Sequence, residues 1–247
     1  MEKYTTDEQE LFVKYFKSNM TKMGLFKKLH AINPRRSYES MARELRRMKS
    51  TGMTKDAEAC YNNLRVGYLD IEATNLAANF GYILSWYIKE KGKNHYDYAV
   101  ITKKEIQSYD FDRRVVGELL EAMKKYSVLY VHYGSDRRFD IPFIRTRAFV
   151  NGLQKLLPDY MDVFIMDTYP IARNKLKLSS NRLGTIAEAL GVKDKKTPLC
   201  GRQWTLAAIG DEDALKYIAL HNKKDVDVLE KVHEKLAYIE RPLYRSM

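Results

Sequence analysis

Apolar residues along this chain follow two rhythms, and the change between them near residue 63 divides it. Before that point the spacing is helical. Thr5-Thr6-Asp7-Glu8 offers an N-cap with acidic first-turn residues, and Leu11, Phe12, Tyr15 and Phe16 recur at the interval that lines one helix face. A second helix is expected over Met23 to Ala31, with Leu25, Phe26 and Leu29 inward, broken by Asn33-Pro34. A third starts at the N-cap Ser37 and carries Met41, Leu45 and Met48 to a stop at Thr51-Gly52. From Val66 the period falls to two. Strands are expected over Val66–Ala73, Gly81–Lys89 and Tyr96–Thr102, then a helix over Val115–Tyr126, a strand over Val128–His132, a helix over Phe139–Leu153 and a strand over Val163–Met166. Helices follow at Ser180–Leu190 and Asp213–Ala237, with Gly191–Arg202 read as a mobile basic loop. Three strands in succession, then strands alternating with helices, specify an α/β fold with a mixed sheet flanked by helices. A small helical domain, residues 1–62, precedes that α/β domain, residues 63–247.

Composition narrows the setting. The 247 residues carry enough apolar and aromatic side chains for a real core, and no run approaches the roughly 20 apolar residues of a membrane span. The N-terminus lacks the apolar stretch of a signal peptide. Cys60 and Cys200 show no CxxC spacing, which excludes a disulfide scaffold and a thiolate zinc site and fits a reducing, cytoplasmic location.

Charge then suggests a partner. The formal net charge is +11, an excess that favours a polyanion, nucleic acid before acidic membranes. Residues 1–65 hold 14 Lys or Arg against 8 Asp or Glu, so over half of the excess lies in about a quarter of the chain. The third helix bears Arg43, Arg46 and Arg47, with Arg35 and Arg36 just before it. Three short helices ending in a basic one match a helix-turn-helix, and Pro34-Arg-Arg-Ser-Tyr-Glu-Ser-Met-Ala-Arg-Glu-Leu resembles the third helix of Myb/SANT-like domains. DNA binding by these arginines is the expectation; a solvated basic face or a partner-docking surface is the alternative.

Against this basic background, four acids stand out. Asp70 and Glu72 lie two apart on an apolar strand and so share a face. Asp140 opens a helix, and Asp225 follows His221 by four residues on a long one. Carboxylates gathered together repel unless divalent cations compensate them, so the set suggests a metal site for phosphoryl chemistry. The flanking Leu69 and Ile71 mark a central strand, where acids need a reason to be present. By contrast, Asp162 and Asp227 read as surface charges, and Asp167 as the cap of the turn after its strand.

In order, Gly67-Tyr-Leu-Asp-Ile-Glu-Ala-Thr, Arg138-Phe-Asp-Ile-Pro-Phe-Ile, Asp167-Thr-Tyr-Pro-Ile-Ala-Arg, Leu178-Ser-Ser-Asn-Arg-Leu, Trp204 and His221-Asn-Lys-Lys-Asp-Val resemble the DEDD superfamily of ribonuclease H-fold 3′–5′ exonucleases. The likeness is nearest to predicted exonucleases related to the proofreading domains of family B polymerases, and spans roughly residues 64–236. It implies a ribonuclease H-like mixed five-stranded sheet, with Asp70, Glu72, Asp140 and Asp225 holding two Mg²⁺ or Mn²⁺ ions for hydrolysis of nucleic acid, DNA favoured and RNA possible. His221 departs from the family, which has Tyr four residues before the last Asp or His five before it. Here His stands at the Tyr spacing, where it either orients and deprotonates water or packs beside the site. The turn His132-Tyr-Gly-Ser-Asp-Arg-Arg-Phe is a second departure, longer and more basic than the family's Asn-bearing turn. Arg137 and Arg138 are candidate phosphate contacts, Thr74 a contact to a terminal nucleotide, and Arg182 a phosphate contact or a helix cap. An RNA exonuclease, a structure-specific endonuclease and a non-catalytic DNA-binding protein are the rival readings.

Overall fold

The computed structural model describes residues 8, 11, 12, 15, 21–50, 64–159, 162–192 and 201–240, with the side chains of 22, 46–50 and 240 outside that description. The chain divides into two compact units, Met1–Leu64 and Arg65–Met247.

In the first unit, helix α1 (Lys22–Ile32) begins at Thr21, whose hydroxyl accepts from the Gly24 N–H at 3.0 Å. Helix α2 (Tyr38–Ser50) follows Ser37, whose hydroxyl accepts from the Ser40 N–H. Phe12, Leu25, Leu29, Met41 and Leu45 form a small buried core. Arg36 corrects an expectation here. Its guanidinium is buried and grips Glu8 with two bonds of 2.7 and 2.8 Å, so it holds the unit together rather than meeting phosphate. Arg35 and Arg43 are exposed, while the side chains of Arg46 and Arg47, and most of the first expected helix, lie outside the described residues.

The second unit is built on five strands, β1 (Val66–Ala73), β2 (Ile83–Glu90), β3 (Tyr96–Val100), β4 (Val128–Val131) and β5 (Phe164–Asp167), ordered β3-β2-β1-β4-β5. β1 pairs antiparallel with β2 and parallel with β4, and β4 runs parallel to β5, giving the mixed sheet. β1 is therefore the central strand. Alternation along it sends Leu69 and Ile71 to one face and Tyr68, Asp70 and Glu72 to the other. The first face joins Trp86, Ile88, Leu129 and Val131 against helices α4 (Arg113–Met123) and α5 (Asp140–Val150). On the second, Tyr68, Tyr87 and Tyr130 pack with helix α7 (Leu183–Ala189) and the distal half of α9 (Glu212–Glu240). The proximal half of α9 joins the first core through Leu215 and Ile218.

Three short helices were not anticipated: α3 (Lys103–Gln107), α6 (Thr168–Lys175) and α8 (Gly201–Ala208). β3 stops at Val100 because Thr102 forms a capping box with Glu105 and starts α3. Most of the expected basic loop, residues 193–200, lies outside the described residues. Asp227, expected at the surface, is instead partly buried, held by Lys89 at 2.8 Å and the Tyr96 hydroxyl at 2.7 Å, which ties α9 to β2 and β3. Asp162 is exposed.

Candidate active site

Glu72, His221 and Asp225 converge. One donor atom from each lies within 4.8 Å of the others, the imidazole Nε2 standing 3.8 Å from Glu72 Oε1 and 3.8 Å from Asp225 Oδ2. The i, i+4 spacing on α9 places His221 and Asp225 on one helix face, and β1 presents Glu72 toward them. At 3.8 Å these approaches are too long for hydrogen bonds.

Asp70, two residues before Glu72, accepts a 2.6 Å hydrogen bond from the Asn222 side-chain amide. Asn222 is fully buried, one position after His221, and its role could not be read from sequence. Asp70 and Asp225 together line a cleft of about 530 Å³, whose other side is formed by His132, Tyr133, Tyr169, Asn181 and Arg182. A cavity of about 490 Å³ between α4, α5 and β5 is lined mostly by aliphatic side chains, with Asp159 and an Asp136–Arg145 ion pair among the rest.

Asp140 enters from the start of α5, where Pro142 fits the first turn because no helical donor is needed there. Its carboxyl is 3% exposed and its Oδ2 has no hydrogen-bond partner. Burial raises its pKa well above the carboxylate range, reinforced by the charges of Asp70 and then Asp167. Gly134 makes this placement possible: a β-carbon there would lie 2.1 Å from Asp140 Oδ2. That glycine, in the turn between β4 and α5, was the available sequence signal.

Asp167 organises the same turn. It caps α6 by accepting from the Tyr169 N–H at 2.9 Å, and also accepts from the N–H groups of Tyr133 at 3.0 Å and Ser135 at 3.1 Å. Arg138 stands 3.3 Å from Asp167 and over the rings of Tyr133 and Tyr169, so its charge is already engaged inside the turn. Arg137 is exposed. Arg182 is exposed on the cleft and makes no side-chain cap bond at the start of α7. The Thr74 N–H donates to Tyr82 O at 3.0 Å and its hydroxyl accepts from Tyr82 N–H, so both serve the β1–β2 connection. Trp204 donates its indole N–H to Ala73 O and packs against the first core.

The donor set fits a hard divalent cation. Glu72, Asp225 and His221 offer carboxylate oxygens and one imidazole, while burial and the charges of Asp70 and Asp167 raise the pKa of Asp140. Such a group ionises readily only when a positive charge arrives beside it. A family model described as RNase_H superfamily matches residues 67–237. No curated protein matches the chain.

Proposed function

The chain belongs to the RNase_H superfamily, and from that premise we propose that it is a metal-dependent 3′–5′ exonuclease of nucleic acid, DNA favoured. The carrying observation is the convergence of Glu72, His221 and Asp225, with a buried Asp140 oxygen that lacks a hydrogen-bond partner in the electrostatic field of Asp70. Asp70, Glu72, Asp140 and Asp225 would hold two Mg²⁺ or Mn²⁺ ions. When bound, these ions supply charge compensation and Lewis acidity at the phosphodiester oxygens.

The chain's own residues do the rest. Asn222 fixes the rotamer of Asp70 through its amide. His221, between two carboxylates, takes or orients the proton of an attacking water at Nε2. Arg182 and Arg137, both exposed, meet substrate phosphates. In the first unit, exposed Arg35 and Arg43, with Arg46 and Arg47, bind the nucleic-acid backbone and raise the local concentration of ends.

End-labelled single- and double-stranded DNA and RNA, incubated with Mg²⁺, Mn²⁺ or EDTA, test the reading. A ladder from a 5′-labelled strand, absent in EDTA, is expected; one discrete internal product would indicate endonuclease action instead. Asp70→Ala and Asp225→Asn should abolish cleavage while nucleic-acid binding persists. His221→Ala should slow cleavage by roughly 10²–10⁴; a loss of only a few-fold would reduce His221 to packing.

A further inference from the structure

Asp70 is steadied by a neutral, fully buried amide, that of Asn222, which donates to it at 2.6 Å. Glu72 lies two residues further along β1 and points to the same face. Its direct cross-strand neighbour in β2 is Ser85, just as Tyr87 stands opposite Asp70. Side chains paired in this way across an antiparallel ladder leave the same face, with β-carbons about 4.5–5.5 Å apart. On its other side Ser85 pairs with Val100 of β3, which offers no polar side-chain atom. Glu72 is therefore the polar side chain that the ladder sets directly beside Ser85.

Ser85 is fully buried, and its hydroxyl has no hydrogen-bond partner. The rest of the buried run of β2, Ile83, Leu84, Trp86, Tyr87 and Ile88, is aliphatic or aromatic. Among the described residues, the buried side chains that are neutral, small and polar are Ser85, Thr168 and Asn222. Thr168 donates to Val131 O and Asn222 to Asp70, so Ser85 is the one of the three without a partner. An unpaired buried hydroxyl costs free energy that alanine, of nearly the same size, would not. Small volume does not account for a serine here.

We propose that Ser85 is a positioning residue, whose hydroxyl donates to the Glu72 carboxylate and fixes its orientation for a divalent cation. The proposal rests on the reading of Glu72 as a metal ligand and adds the group that orients it. A ligating carboxylate has more lone pairs than the cation uses, and a donor on the remainder limits its rotation. The His221 imidazole does not serve this purpose, since its Nε2 stands 3.8 Å from Glu72 Oε1. Each acid of β1 is then steadied from a different element, Asp70 by α9 and Glu72 by β2.

The test counts free Mn²⁺ by its electron paramagnetic resonance signal as the full chain is titrated without nucleic acid. The chains compared are the wild type, Ser85→Ala, Ser85→Thr, Glu72→Gln and the double variant of Glu72→Gln with Ser85→Ala, each also unfolded by urea in EDTA. Ser85→Ala should weaken Mn²⁺ binding roughly 10- to 100-fold. Its urea midpoint should equal or exceed that of the wild type, because an unpaired buried hydroxyl is gone. Ser85→Thr, which keeps the hydroxyl, should bind as the wild type does. In the Glu72→Gln background, Ser85→Ala should weaken binding no further, since no carboxylate is left there to orient. Unchanged binding in Ser85→Ala overturns the proposal and leaves the nuclease reading standing. An equal loss in both backgrounds does the same, as does a urea midpoint that falls together with affinity. Ser85→Thr binding no better than Ser85→Ala at an unchanged midpoint also overturns it. A wild type that binds no Mn²⁺ overturns the nuclease reading as well. Binding that depends on Ser85 through Glu72, without cleavage of any oligonucleotide, upholds the positioning role and rejects only the enzyme.

Discussion

Asp140 shows how one buried carboxyl can report on a site. Its pKa is raised by burial and by Asp70 and Asp167, so the folded, metal-free protein keeps a proton that the unfolded chain loses near its ordinary pKa of about 3.9. Its contribution to stability is therefore complete below that value and declines as pH rises toward ionisation of the folded carboxyl. Asp140→Asn, which does not titrate, should stabilise the metal-free protein at neutral pH, measured by urea unfolding. It should also abolish the rise in thermal midpoint on adding Mn²⁺. In the wild type that rise should grow as pH increases, because cation and proton compete for the same oxygens. Gly134→Ala tests the same spot sterically. A β-carbon 2.1 Å from Asp140 Oδ2 must push the carboxyl aside, so cleavage should fall by orders of magnitude while the circular dichroism spectrum is retained. Arg36 and Asn222 mark what residue types alone hide. A basic cluster made Arg36 look like a phosphate ligand, but Glu8 claims it. Asn222 looked like any polar helix position, because Asp70, which it supports, is 152 residues away.

Secondary structure was largely legible where periodicity was long. The five strands and the helices α4, α5, α7 and α9 fall where alternation or helical spacing predicts, with ends shifted by a few residues. The eight-residue helices α6 and α8 were not, since so short a run carries barely two turns of pattern and owes its form to tertiary packing. The cap of α3 was missed for a related reason, Thr102 having been read as the end of a strand. Thr102→Ala should therefore cost about 1 kcal/mol through loss of that cap. A larger effect is expected at the fully buried Asp112, which accepts from Arg147 at 2.9 and 2.7 Å, from Asn151 at 3.0 Å and from the Ile83 N–H at 2.8 Å. This carboxylate joins the starts of α4 and β2 to α5. Arg147→Ala leaves it uncompensated and should destabilise the second unit by about 3–5 kcal/mol, read from the shift in urea midpoint at constant slope.

At the scale of the molecule, each unit has its own buried core. Residues 65–247 expressed alone should fold and cleave short oligonucleotides, with a shallower dependence of KM on salt than the full chain, because fewer phosphate contacts are lost. Equal slopes would remove the first unit from nucleic-acid binding. The meeting of β1 acids with His221 and Asp225 could be anticipated from their spacing, since a DxE pair and an i, i+4 pair each declare a face. The wall formed by Tyr133, Tyr169 and Asn181 could not, because it depends on how Asp167 folds one turn. The distance along the chain between the two halves of the site has a further consequence during synthesis. A ribosome that has made Asp70 must still translate more than 150 codons before the α9 residues emerge to join it. A chain released before those codons are read lacks His221 and Asp225, and so carries an incomplete donor set.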